Sequence, residues 1–179
     1  ASDVYKRQNL APHSYFNLNG KGTILEHRLK ILADHYNPVD NELIPTGEIK
    51  SIENTNFDFR IEKFIEDSGK NCENKDSNKY LDHNFCISRE IVPLRQIALL
   101  SSPDSGVYLK LKSTQPGLQI YTGSKIDCPV TGHDNFKMGT NSGIAMEPQI
   151  WPDSINQPLF PQAVLRLGEK YNHQTQYIL

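Results

Sequence analysis

The chain predicts an all-β fold made of many short antiparallel strands, and three observations carry that prediction. Apolar side chains recur at every second position in several stretches, the period of a half-buried sheet strand. Compact turn signals separate those stretches: Asn19-Gly20, the run Pro103-Asp104-Ser105-Gly106, and Pro116-Gly117. No segment carries a helical apolar stripe over three turns.

In order along the chain, His27 to Asp34 sets Leu29 and Ile31 on one side and Arg28 and Lys30 on the other, which is a half-buried strand. The following NPVDNELIPTGEI is rich in Pro, Asn, Asp and Gly, and reads as a surface excursion. Phe57, Phe59 and Ile61 alternate with Asp58, Arg60 and Glu62, which predicts another strand. Asp67 to Tyr80 is polar without apolar period and reads as a mobile loop flanking a binding cleft. His83 to Ile87 and Ile91 to Leu100 read as strands. The turn at Pro103 then leads into Val107, Leu109 and Leu111, alternating with Tyr108, Lys110 and Lys112. Pro116-Gly117 turns the chain into LQIYT, so this region is expected to be a meander. Ile126 to Gly143 is loop-like, IAMEPQI is a strand, WPDSINQPLFP is proline-bearing, and Val164 to Leu167 and Tyr171 to Ile178 close the chain. There is no internal repeat.

At 179 residues the chain is long enough to bury a core, as one domain or as part of a larger one. Nineteen basic against 21 acidic side chains give a formal charge of -2. No block of like charge is present to grip nucleic acid or anionic lipid, so a neutral small molecule is the expected partner. No run approaches the ~18 apolar residues of a membrane span, and the expectation is a soluble, cytoplasmic protein. Cys72, Cys86 and Cys128 lack CxxC spacing and read as free structural thiols. His27, His35, His133 and His173 have no HxxxH spacing, so no metal site is expected.

The chemistry-bearing stretch is NLAPHSYFNLNG, where His13 stands beside two aromatics, and its expected partner is Glu147 in GIAMEPQ. An imidazole and a carboxylate form a complete acid and base set, able to remove one proton and deliver another without metal or cofactor. The bland alternatives are a hydrogen-bonded structural His13, an exposed strand Glu147, and an Asp82 that bonds a local backbone group. His83 follows Asp82, and alternation along an extended LDHNF points the two in opposite directions, which leaves His83 to packing.

HSYFNLNG, ADHYNPVDNELIPTGEI, FDFR, LDHNF, PGLQIYTG, AMEPQ, PDSINQPLFP and LGEKY occur in one order. In that order they resemble the aldose 1-epimerase (galactose mutarotase) family. The resemblance runs over residues 9–179 and matches about the second half of a family member. It implies a large twisted antiparallel β-sandwich, the galactose mutarotase-like supersandwich, incomplete at the N-terminus. The absent half would contribute sheet strands, an Arg and a second His. Residues 1–8 do not match the family and read as a short polar leader, with a tag, a cloning remnant and a sequence-assembly artefact as the alternatives for its origin.

The resemblance also implies interconversion of the α and β anomers of free hexoses such as galactose or glucose, with no cofactor. On the matching motifs, Glu147 is the base for the C1 hydroxyl and His13 the acid for the ring oxygen, the roles exchanging on closure. Asp82 would hold a sugar hydroxyl, Tyr121 would stack on sugar C-H groups, and Gln149 would bind a hydroxyl. The chain departs from the family pattern at Ala11-Pro12, where Thr and Asn are common, at Leu81 before Asp82, and at Leu167. Three rivals stand beside this reading. One is a non-catalytic sugar-binding relative, and another is a fragment whose open sheet edges prevent folding. The third is a hexose-phosphate epimerase-like enzyme, which needs clustered cations; Arg28 and Arg60 are expected on solvent-facing strand positions.

Overall fold

The computed structural model of the chain describes residues 5–69, 81–132 and 135–179. Period-two patterns in the sequence become alternating burial: in β9 (Tyr108–Ser113), Leu109 and Leu111 are fully buried while Tyr108 is exposed and Lys110 and Lys112 are half-buried. The same alternation operates in β3 (Arg28–Ile31), where Leu29 and Ile31 face inward. The burial of these rows, and not backbone propensity alone, fixes which face each strand shows the core.

One sheet has six strands in the order β2 (Tyr15–Phe16), β11 (Ile144–Gln149), β10 (Gly117–Tyr121), β7 (Asp82–Cys86), β4 (His35–Asn37) and β5 (Lys50–Ser51). The other has five, β13 (Thr175–Ile178), β9, β8 (Arg95–Ser101), β3 and β6 (Lys63–Phe64). A small pair joins β1 (Tyr5–Lys6) to β12 (Leu165–Arg166). All of these pairings are antiparallel. A 3-10 turn at Ile65–Gly69 follows β6. Among the described residues there is no α-helix, and no helix long and apolar enough to cross a membrane.

The all-β sandwich expected from the sequence is therefore what forms. Its core holds Leu29, Ile31, Leu100, Leu109 and Leu111 from one sheet and Phe85, Leu118, Ile120, Ile144 and Met146 from the other, each fully buried. Phe16 and Tyr177 bridge the sheets with ring centroids 5.0 Å apart. At roughly 1.5–3 kcal/mol for burying each large apolar side chain, these two rows dominate the stability of the sandwich.

Two expectations are corrected. Phe57 to Ile61 is not a strand: the Thr55 hydroxyl accepts the Phe57 N–H, Asp58 accepts the Arg60 N–H, and Ile61 is 83% exposed. Local side-chain acceptors there outcompete a ladder. Phe57 instead packs on Tyr36 and His83, at 4.9 and 4.7 Å. Arg60, expected on a strand, lies in this irregular segment, where its guanidinium donates to the Asp58 carboxylate. Nor is the region from β8 to β10 a simple meander. β8 and β9 are hairpin neighbours, but after Ser113 the chain crosses and β10 enters the six-stranded sheet.

β11 pairs with β2 at Ile144 and Ala145, and beyond them its outer edge carries no ladder among the described residues. Pro148 lies on that open stretch, where its missing N–H deprives no neighbour of a bond. Cys86 and Cys128 are free thiols. The expectations for Cys72, His133, residues 1–4 and residues 70–80 of the polar loop lie outside the described residues; Asp67 to Gly69 end the 3-10 turn.

Candidate active site

Residues directly opposite in an antiparallel ladder point to the same side of the sheet. In the six-stranded sheet Glu147 faces Gln119, which faces Asn84; Tyr121 faces Asp82 and Ala145; Ala145 faces Tyr15; and Gln149 faces Gly117. Glu147, Gln149, Gln119, Tyr121, Asp82 and Tyr15 therefore share the face turned away from Met146, Ile120 and Phe85. That polar face is the candidate site.

His13 lies outside the strands, in the segment leading into β2, and its side chain is 53% exposed. Its Nε2 is 3.5 Å from Glu147 Oε1. Its ring rests against Tyr15 at 5.2 Å, and Tyr15 in turn meets Tyr121 edge-on at 6.2 Å. The local fold of this motif rests on Asn17, whose amide donates to the carbonyls of Lys21, Gly22 and Ser142, and whose Oδ1 accepts the Asn19 N–H. His27 Nε2 accepts the Leu18 N–H, and burial lowers the His27 pKa, which keeps it a neutral acceptor.

Glu147 is only 8% exposed. Burial raises its pKa, the nearby Asp82 carboxylate raises it further, and the His13 imidazole, when charged, pulls it back. Asp82 is raised as well, chiefly by burial, against the hydrogen bond from Gln119 and the charges of Lys125 and His13. Gln119 Nε2 donates to Asp82 Oδ1 at 2.9 Å. The Tyr121 hydroxyl accepts the Lys125 N–H at 3.0 Å. Burial and three acidic neighbours, Tyr121, Glu147 and Asp82, keep the Tyr15 phenol protonated above its ordinary range.

The structure thus places His13, Glu147, Asp82 and Tyr121 together. Gln149 is on the same face but one pair further along β11, opposite Gly117. There the Trp151 ring covers the sheet: a side chain on Gly117 would meet Trp151 Cδ1 at 2.8 Å and Asn84 Oδ1 at 2.5 Å. His83 is on the other face against Phe57 and Tyr36, as alternation from Asp82 requires. Two residues escaped the sequence reading, Gln119 and Tyr15. Gln119 was findable, being two positions before Tyr121 in an alternating strand. Tyr15 stands in the same relation to His13. Among the described residues no three His, Cys, Asp or Glu side chains gather in a group suited to a metal ion.

A β-sandwich whose polar sheet face sets an imidazole against a buried carboxyl with a raised pKa, with a second such carboxyl beside it, defines a scaffold for acid and base chemistry. Comparison with known proteins gives that class its family. A family model described as aldose 1-epimerase matches residues 7–178. Galactose mutarotase of Mus musculus is 44% identical over 169 residues, covering 93% of this chain and 48% of that protein. Aldose 1-epimerase of Escherichia coli K12 is 36% identical over 173 residues, covering 94% and 49%. The crystal structure of an aldose epimerase homologue from C. elegans superposes with a TM-score of 0.85 at 31% identity, over 98% of this chain and 52% of that one. The chain belongs to the aldose 1-epimerase family, and it spans about half the length of the curated relatives it matches.

Proposed function

We propose that the chain is the C-terminal portion of an aldose 1-epimerase that interconverts the α and β anomers of free hexoses, with galactose and glucose as substrates. The observation that carries the reading is the 3.5 Å approach of His13 Nε2 to Glu147 Oε1 on the face that Asp82 shares. Glu147 takes the proton of the C1 hydroxyl while protonated His13 delivers one to the ring oxygen. The bond from C1 to the ring oxygen breaks and a C1 carbonyl forms. After rotation about the C1–C2 bond the ring oxygen attacks the other carbonyl face, and the two side chains return their protons in the opposite sense. Skeleton and redox state are unchanged.

The raised pKa of Glu147 suits this role, because a carboxylate is a stronger base the closer its pKa comes to the working pH. Asp82, held by Gln119, is placed to bind a sugar hydroxyl, and the Tyr121 and Tyr15 rings offer faces for sugar C-H groups. The test is polarimetry of freshly dissolved α-D-galactose and α-D-glucose with the purified chain. Acceleration over the spontaneous rate that Glu147→Gln loses supports the proposal; equal rates for the two proteins overturn it. A second reading, a non-catalytic sugar-binding relative, draws on the chain's spanning about half of its relatives' length. Sugar binding by a folded chain without acceleration selects it.

A further inference from the structure

Half of the proposed acid and base pair is well anchored and half is not. Glu147 belongs to a paired strand. His13 belongs to a segment, residues 7–14, that forms no strand or helix, and more than half of its side chain is open to solvent. A flexible acid this exposed would spend most of its time away from its partner, since each freely rotating backbone residue carries about 1–2 kcal/mol of entropy against a fixed position. Something must hold it.

Register shows what. Phe16 pairs with Ile144 and Tyr15 with Ala145; continuing in step, His13 falls opposite Glu147 on the same face. The His13 segment is thus a prolongation of β2 along β11 that lacks ladder bonds. Pro12 has no N–H to give, which is one reason the ladder stops. Contact resumes at Asn9, through its side chain. Asn9 Nδ2 donates to the Ile150 carbonyl at 2.7 Å, and Asn9 Oδ1 accepts the Ile150 N–H at 3.1 Å. A primary amide offers the same donor and acceptor as a peptide unit, so the two bonds reproduce the pair that a ladder residue makes with its partner.

We infer that Asn9 is a positioning residue of the proposed reaction: its side-chain amide stands in for the missing ladder contact and holds His13 in register over Glu147. This rests on the epimerase reading above. The segment from Asn9 to Tyr15 is tied at one end to Ile150, the residue that follows β11, and at the other to Ala145 within it, and His13 occupies the span between. The Met146 carbonyl on the same open edge of β11 accepts the Tyr177 hydroxyl at 2.8 Å, which braces the strand from behind.

Two readouts on the 179-residue chain test the inference, one without turnover. Among the described residues, the titratable groups with a charge interaction at the Glu147 carboxyl are His13, Asp82, Tyr15 and Tyr177, and of these His13 is the one whose charge favours the carboxylate. Releasing His13 should therefore move the Glu147 titration to higher pH, observable by carbon-13 NMR of its carboxyl carbon. Asn9→Ala is expected to produce that shift and to lower kcat by roughly tenfold to a hundredfold, with KM within about twofold. Asn9→Asp keeps the acceptor and loses the donor, and should give a smaller effect in the same direction; it also serves if Asn9→Ala does not fold. A folded variant with unchanged kcat and unchanged Glu147 titration overturns the inference, whatever its melting temperature. If the parent chain proves inactive, the epimerase reading fails by itself, and the NMR titration still decides for or against the clamp.

Discussion

The two faces of the six-stranded sheet are made by the same strands and differ by a single step in sequence. On β11, Met146 is fully buried in the core and Glu147 beside it faces the proposed site; on β10, Ile120 and Gln119 divide in the same way; on β7, Phe85 and Asn84 do so. One face gains free energy by leaving water. The other keeps Glu147 and Asp82 partly desolvated at a cost, visible in the upward displacement of both pKa values. Stability and chemistry are thus apportioned by residue parity, and the apolar row offsets the cost of the polar one.

Breaking each face should therefore give opposite signatures. The largest effect is expected at the site: Glu147→Gln should reduce anomerisation by about a hundredfold to ten-thousandfold in polarimetry, with sugar binding by calorimetry within about tenfold. On the core face, Ile120→Ala should lower unfolding free energy by about 2–5 kcal/mol in denaturant titration and leave the activity of the remaining folded protein nearly unchanged. A smaller loss, about 1 kcal/mol, is expected for Tyr177→Phe, whose hydroxyl burial pushes up to about 12, so that it stays a donor to Met146 across the working pH range.

The pH dependence sharpens the contrast. A carboxyl whose folded pKa lies above its unfolded value binds more protons in the folded state, so its contribution to stability falls as pH rises through that interval. Glu147 and Asp82 both have this sign. Asp58 has the opposite one, lowered by its hydrogen bonds to Arg60, and stabilises above the ordinary carboxylate range. Glu147→Gln should accordingly melt at a higher temperature than the parent at pH 7, with the gain shrinking toward pH 4. A gain independent of pH would show that the carboxylate carries no folding penalty.

Much of this architecture is legible in the sequence because burial obeys parity. Leu109 and Leu111, or Leu29 and Ile31, announce their strands without help from the rest of the chain. Phe57 to Ile61 shows the same parity and yet forms no strand, because Thr55 and Asp58 satisfy the backbone locally, even though the Phe59 carbonyl accepts the Ile31 N–H of β3. The crossing of β10 into the other sheet leaves no local mark, since Pro116-Gly117 serves a hairpin and a crossover equally well. His13 and Glu147 could be paired from their motifs by chemistry and family likeness. Their approach comes from the register of β2 on β11, which only the folded chain contains. Gln119 was within reach of the parity argument, and Asn9 was not, because its partner is a backbone unit distant in sequence.

Pro148 has a further meaning for how the chain finds its pairing. A slip of β11 by one residue along β10 would drive the Glu147 carboxylate into the apolar interior and lift Met146 out of it. The same slip would turn Pro148 toward β10, where a ladder N–H is required and none exists. The imino acid next to the proposed base therefore acts as a proofreading key: misaligned pairings are penalised by backbone and side chain together, and the strand that carries the chemistry has one alignment in which both are content.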